Sequence, residues 1–211
     1  GDEAYFLAKT LPGVSVVTGG NRLLAVRTAR ERFNPDILVL DDAFQHWQVK
    51  RDLEMVLLDA TAPFGPAWLI PAGTLRELPS ALKRAHVILL TRTDQVLPEA
   101  LAWLEQKLRK INPLARILWS IHQPAGFTRL SHWRQGLSGE GFKKKKAALL
   151  CGIGNPDSFR ATLRNLSLDI VREKIFPDHH YFTLAELREY AERCREIGVE
   201  DIIITEKDAV K

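Results

Sequence analysis

The sequence predicts an α/β fold, a mainly parallel sheet flanked by helices, from two patterns. Continuous apolar runs such as Ile37-Leu38-Val39-Leu40 and Ala147–Cys151 have the make-up of strands covered on both faces, and they alternate with segments of helical period. The runs also end in acidic or small residues, Asp41-Asp42, Asp59 and Gly152, where strands give way to loops. Composition agrees: 211 residues with 45% apolar and 27% charged side chains suit a globular chain, not a disordered or fibrous one.

Along the chain, Val14–Val17 reads as a short strand ending at Thr18-Gly19-Gly20, and Leu23–Phe33 as a helix with Arg27, Arg30 and Arg32 outward. Asn34-Pro35-Asp36 breaks that helix before the Ile37–Leu40 strand. Glu54–Leu58 and His86–Leu90 are two further strands, followed by the amphipathic helix Pro98–Lys110, which Asn112-Pro113 stops, and by a strand at Ile117–His122. From Gln123 to Gly141 the chain is rich in Gly, Ser, Pro and Gln and shows no period; it ends in Lys143-Lys144-Lys145-Lys146, read as a solvated loop. The expected division is therefore a first domain over 1–122, a linker over 123–146 and a smaller second α/β domain over 147–211. In the second domain, strands at Ala147–Cys151, Val171–Phe176 and Asp201–Thr205 enclose helices at Asp157–Leu166 and Leu184–Ile197, and Glu206-Lys207-Asp208 reads as a polar loop.

Several function classes drop out early. No apolar run nears the roughly 18–20 residues that span a bilayer. A formal charge of +4 is too small for a nucleic-acid binder and suits an anionic substrate or lipid surface. Cys151 and Cys194 have no zinc-ligand spacing and read as packed thiols of a reduced, cytoplasmic protein.

Chemistry concentrates in a few places. Asp41-Asp42 follows an apolar strand, and parallel sheets bind ligands beyond the carboxyl ends of their strands. A carboxylate pair there can hold Mg²⁺ against nucleotide phosphates, as in P-loop proteins. The bland alternative is helix capping. Asp178-His179-His180 joins carboxylate to imidazole, a source of metal ligands or of an acid–base pair. In Pro71-Ala72-Gly73-Thr74-Leu75-Arg76-Glu77, Arg76 can grip phosphate and Glu77 a metal, or the two can form a surface ion pair. Phe64–Pro71 is an apolar loop that belongs to core or to lipid. Gly152-Ile153-Gly154-Asn155-Pro156 has the outline of a phosphate-cradling turn, a weak signal in isolation. No G-x-x-x-x-G-K-[ST] phosphate loop occurs in the 211 residues.

Taken in order, these motifs resemble the tetraacyldisaccharide 4'-kinase family, which phosphorylates the lipid A precursor of Gram-negative envelopes. The resemblance rests on Gly1-Asp2-Glu3, Asp41-Asp42-Ala43-Phe44-Gln45-His46, Arg51-Asp52 and Pro71–Glu77. It continues through Thr91-Arg92-Thr93-Asp94, Gly152–Pro156, Phe176-Pro177-Asp178-His179-His180 and Thr205-Glu206-Lys207-Asp208-Ala209. Ala43 stands where the family usually has Gly, a tolerable change if its φ is not positive. The resemblance implies a P-loop NTPase-like core domain, a smaller second domain on a two-stranded linker, and a site between them. It implies ATP and Mg²⁺, a lipid A disaccharide 1-phosphate precursor as acceptor, no nucleic acid, and peripheral attachment to the cytoplasmic face of the bacterial inner membrane. Carried over residue by residue, Asp2 is the base for the sugar hydroxyl and His179 its orienting partner. Asp41 and Asp42 lie near the metal, and His46 and Glu77 are active-site residues, with Glu77 near the metal too. The family's phosphate loop and membrane-associating helix fall before Gly1, so the chain is expected to be a catalytically incomplete piece. Two other readings are a metal-dependent DHH-type phosphoesterase and a non-catalytic fragment that binds lipid or a partner.

Overall fold

The computed structural model describes residues 2–124, 126–131 and 146–211, with Asp2 described in its backbone only. Lys143–Lys145 and most of the expected linker lie outside the described residues. The chain divides into two compact units, Gly19–His122 and a second formed by Gly1–Thr18 with Gln123–Lys211.

In the Gly19–His122 unit, strands β1 (Met55–Asp59), β2 (Val87–Thr91) and β3 (Arg116–Trp119) form a parallel sheet in the order β1-β2-β3. One face packs on α3 (Pro98–Ile111) and a 3₁₀ segment at Pro79–Arg84, through Leu82, Ile88, Leu90, Leu104 and Leu108. Leu101, Leu104 and Leu108 recur at the helical period and are all buried, which is why α3 was legible in the sequence. Asn112 ends that helix and ties the unit together. Its buried Nδ2 donates to the Leu82 and Ala85 carbonyls, each at 2.9 Å, while its Oδ1 accepts from the Leu114 and Ala115 amides. The other sheet face is open: Leu57 and Leu118, aligned through Leu89, are 62% and 47% exposed.

Helix α2 (Arg22–Phe33) starts at Asn21, whose side chain accepts from the Leu24 amide, and ends at Asn34 in the left-handed conformation. It buries only Ala29, and Leu24 and Phe33 are exposed, so the expected apolar face has no core against it among the described residues. Two expected strands are absent. Val14–Val17 and Ile37–Leu40 make no ladder among the described residues, and Ile37 and Val39 are 79% and 88% exposed. An apolar run becomes a strand only where another strand takes up its backbone N–H and C=O groups. The Phe64–Pro71 loop is part buried and part exposed: Phe64 is in the core, whereas Trp68 and Ile70 are exposed.

In the other unit, β4 (Lys146–Cys151) lies between β5 (Asp169–Ile175) and β6 (Asp201–Ile203), all parallel. Alternate β4 side chains enter different cores. Ala147, Leu149 and Cys151 meet Leu163 of α4 (Pro156–Asn165), and Ala148 and Leu150 meet Tyr190 and Cys194 of α5 (Leu184–Arg195). This two-sided burial is what the unbroken apolar run encoded. Both cysteines are free and buried, and burial, with the Asp208 charge second, pushes the Cys151 thiol up to about 11. Two helices lay outside the sequence reading: α1 (Asp2–Thr10), and the turn α6 (Glu206–Ala209) where a polar loop was expected. The parallel sheets flanked by helices are the fold class the sequence predicted.

Candidate active site

Asp41 and Asp42 come after the exposed Ile37–Leu40 segment in a turn, with no helix beyond them to cap. Asp42 takes the left-handed φ of +49°, and Ala43 is not among the positive-φ residues, so alanine costs nothing there. Arg51 shapes the backbone from Ala43 to His46. Its Nη1 donates to the Ala43 carbonyl at 2.7 Å and the His46 carbonyl at 2.9 Å, and its guanidinium pairs with Glu54. Both side chains of that pair are close to buried, at 13% and 14% exposure. The Asp41–His46 segment is thus held by a cation reaching in from eight residues beyond Ala43. His46 opens on a cleft of about 370 Å³, shared with Asn21 and Arg22 at the start of α2 and with Gln48.

Arg76 does not pair with its neighbour Glu77. Its Nη1 straddles the Asp42 carboxylate, 2.7 Å from Oδ1 and 2.6 Å from Oδ2, both side chains being more than half exposed. Glu77 takes Arg84 at 2.6 Å, and that guanidinium stacks over Phe44 at 4.3 Å and Trp47 at 5.1 Å. The loop carrying Arg76 folds back on itself: the Leu75 amide donates to the Trp68 carbonyl, and the Ile70 amide to that of Leu75. Gly73 is required in it, because a Cβ there would stand 2.3 Å from the Trp68 carbonyl oxygen.

Among the described residues no group of three His, Cys, Asp or Glu side chains forms a metal cage, and Asp41, Asp42 and Glu77 do not converge. The donor set still suits Mg²⁺, which takes one or two carboxylates and completes its shell with water and phosphate oxygens. Exposed Arg–carboxylate pairs such as Asp42–Arg76 are weak enough to exchange.

The second constellation lies in the unit that contains both termini. His179 has a left-handed φ of +61°, and its amide is fixed by Asp178 Oδ1 at 3.0 Å. Its Nε2 lies 3.7 Å from Asp178 Oδ2 and 3.8 Å from Glu3 of α1. Lys207 of α6 reaches the same place, with Nζ 3.1 Å from Glu3, 3.4 Å from Asp178 and 3.5 Å from His179 Nε2. The Asp2 side chain lies outside the described residues; its backbone begins α1, one residue before Glu3.

His180 is employed differently. Its ring stacks on Phe176 with centroids 4.3 Å apart, and its Nε2 meets both Glu186 oxygens at 3.2 Å. Glu186 closes a capping box with Thr183 at the start of α5. The Gly152–Pro156 turn is no open phosphate cradle, since the Gly152 amide donates to the buried Asp208 carboxylate at 3.2 and 3.3 Å. A Cβ at Gly152 would meet the Pro177 carbonyl at 3.2 Å, so the glycine serves the close approach of the Asp178–His180 loop. Lys207, Glu3, Arg51 and Arg84 escaped the sequence reading as site residues, although Lys207, Glu3 and Arg51 stand inside motifs it had singled out.

These features define a class: parallel-sheet α/β proteins whose candidate charged residues stand in loops, Asp178 and His179 among them beyond the end of a strand. Comparison with known proteins makes it particular. The profile of the family described as "Tetraacyldisaccharide-1-P 4'-kinase" (LpxK) matches residues 1–211, and the chain belongs to that family. It is 36% identical to a tetraacyldisaccharide 4'-kinase of Halothermothrix orenii and 39% identical to one of Anaeromyxobacter dehalogenans, covering all of this chain and 57% and 55% of those proteins. A crystal structure of the apo form of LpxK from Aquifex aeolicus in complex with ATP superposes with a TM-score of 0.63 at 26% identity, over all of this chain and 59% of that one. The chain therefore spans a little over half the length of the relatives it matches.

Proposed function

We propose that this chain carries part of the machinery of an ATP- and Mg²⁺-dependent lipid kinase acting on a tetraacyldisaccharide 1-phosphate. In the reaction the sugar 4'-oxygen bonds to the γ-phosphorus of ATP, the bond from that phosphorus to the β,γ-bridging oxygen breaks, and the hydroxyl proton is taken up. Asp2 accepts that proton, with His179 orienting it. A carboxylate of ordinary basicity suffices, because phosphoryl transfer asks for positioning and charge neutralisation more than for strong base. Asp41 and Asp42 would hold Mg²⁺, which would supply neutralisation of phosphate charge. His46 and Glu77 complete the surroundings, and Glu77, which pairs with Arg84, would lie near the metal. The acceptor is a lipid, so the reading places the enzyme peripherally at the cytoplasmic face of the inner membrane; no helix among the described residues is long and apolar enough to cross a membrane.

Membership of the kinase family over residues 1–211 is the observation that carries this reading. The DHH-type phosphoesterase has less behind it, since His180 is committed to Phe176 and Glu186 and is not turned to a metal cluster. The test is phosphate transfer from labelled ATP to the tetraacyl disaccharide 1-phosphate in detergent micelles, with this chain and with a version extended upstream by a phosphate loop. Activity in the extended protein alone is expected, with Asp42→Ala and His179→Ala lowering kcat by about 10²-fold or more. Full turnover in either variant would remove that residue from the site. Absence of transfer by the folded, extended protein would refute the kinase reading and favour a fragment that only binds.

A further inference from the structure

Lys207 answers to no role in the kinase reading, yet three side chains from two elements meet on its ammonium. Its ammonium lies within 3.5 Å of Glu3 in the first turn of α1 and of Asp178 and His179 in the loop after β5. The element that presents it is firmly held. Asp208 and Lys211 form a fully buried ion pair at 2.8 Å, Lys211 Nζ donates to the Gly152 carbonyl at 2.7 Å, and Thr205 Oγ1 donates to Asp208 at 2.7 Å. The Gly152 amide completes the clamp on Asp208. α6 is therefore fastened to the turn after β4 through Asp208 and Lys211, just beyond Lys207.

We infer that Lys207 is a positioning residue for phosphoryl transfer, bridging Glu3 and Asp178 so that the His179 imidazole is set against the first turn of α1, where Asp2 begins. A charge bridge suits the task. His179 is at a left-handed φ, and its ring is half exposed, so packing alone does not fix it. Two carboxylates on separate elements, at 3.1 and 3.4 Å from one ammonium, restrict both elements. Lys207 stays charged: partial burial works against its ammonium, but the hydrogen bond to Glu3 and the nearby Asp178 and Glu3 charges outweigh this and raise its pKa.

The inference rests on the kinase reading and is tested in the full-length enzyme. Lys207→Met is expected to lower kcat about 10- to 100-fold, the scale of a catalytic group misplaced by roughly an ångström, and to leave KM for ATP within about threefold. Lys207→Arg, which can still bridge two carboxylates, restores most of the rate. Glu3→Gln, which loosens the same bridge from its other end, lowers kcat to a smaller degree and serves should Lys207→Met fold poorly. The deciding comparison is the double variant Lys207→Met/His179→Ala, expected to be no slower than His179→Ala alone, because Lys207 acts through that ring. A lower Tm with unchanged kcat would make Lys207 an ordinary ion pair and overturn the inference. Rate losses that multiply in the double variant would do the same. An inactive wild-type enzyme would overturn the kinase reading and this inference together, whereas an active wild type beside a full-rate Lys207→Met overturns this inference alone.

Discussion

The Glu186 carboxyl shows how one side chain carries both fold and site. Its pKa falls from the ordinary 4.5 to about 2, first through the backbone N–H of Thr183, then the Thr183 hydroxyl and the His180 ring. A carboxyl depressed in the folded state contributes stability that is fully present above pH 4.5 and is lost as pH falls towards 2. The wild type is thus expected to lose Tm across that window more steeply than Glu186→Gln, which has no charge to lose. Thermal melts from pH 6 to pH 2 check this, and parallel curves would refute it. At this scale the sequence was legible where two rare residues adjoin, as in Asp41-Asp42 and Asp178-His179-His180. Residue type alone left the two histidines equivalent, and only the family resemblance singled out His179: His180 is stacked and bonded to Glu186, whereas His179 faces Glu3 and Lys207, residues nearly the whole chain apart. Arg76 shows the same limit, because its partner is Asp42 rather than the adjacent Glu77.

β4 and α3 were legible because their own residues meet a core, α2 from its period although it buries only Ala29, and α6 was missed because something distant holds it. β4 alternates between two cores and α3 buries one helical stripe, and both patterns are local. α6 is different. Three of its four residues, Glu206, Lys207 and Asp208, are polar, and what makes the segment a helical turn is the Thr205 cap, where the Oγ1 accepts from the Asp208 amide, together with the buried clamp on Gly152. Removing one partner of such a pair leaves a buried charge uncompensated, at a cost of about 3–5 kcal/mol. Lys211→Met is expected to destabilise the chain by that amount, and Lys211→Met/Asp208→Asn by less, since the second change removes the stranded charge. Urea denaturation of the single and double variants measures the difference; equal losses would mean that Asp208 is not left charged. The converse error, a strand expected at Ile37–Leu40, arose because composition reports what a strand is made of and not whether a neighbour pairs with it.

Across the whole molecule, apolar exposure is distributed unevenly, and this governs how the chain behaves in solution. β4 is buried on both faces, whereas in the Gly19–His122 unit Met55, Leu57 and Leu118 are exposed on one sheet face, and Ile37 and Val39 are exposed as well. Isolated exposed apolar side chains are common, but several on one sheet face mark a surface that associates. β1 also lies at the edge of its sheet, where unpaired backbone groups favour pairing with another chain. A net charge of +4 on 211 residues opposes that association only weakly. The 211-residue chain is therefore expected to bind an apolar fluorescent dye while folded and to form soluble oligomers as its concentration rises. Leu57→Lys/Val39→Lys, at exposed positions where substitutions usually shift stability by about 0.5 kcal/mol or less, should reduce both effects and leave the circular dichroism spectrum unchanged. Light scattering and dye binding decide it. A wild-type chain that stays monomeric and dark with dye would mean that this face is not adhesive, and a double variant that loses its fold would mean that Leu57 and Val39 support packing despite their exposure.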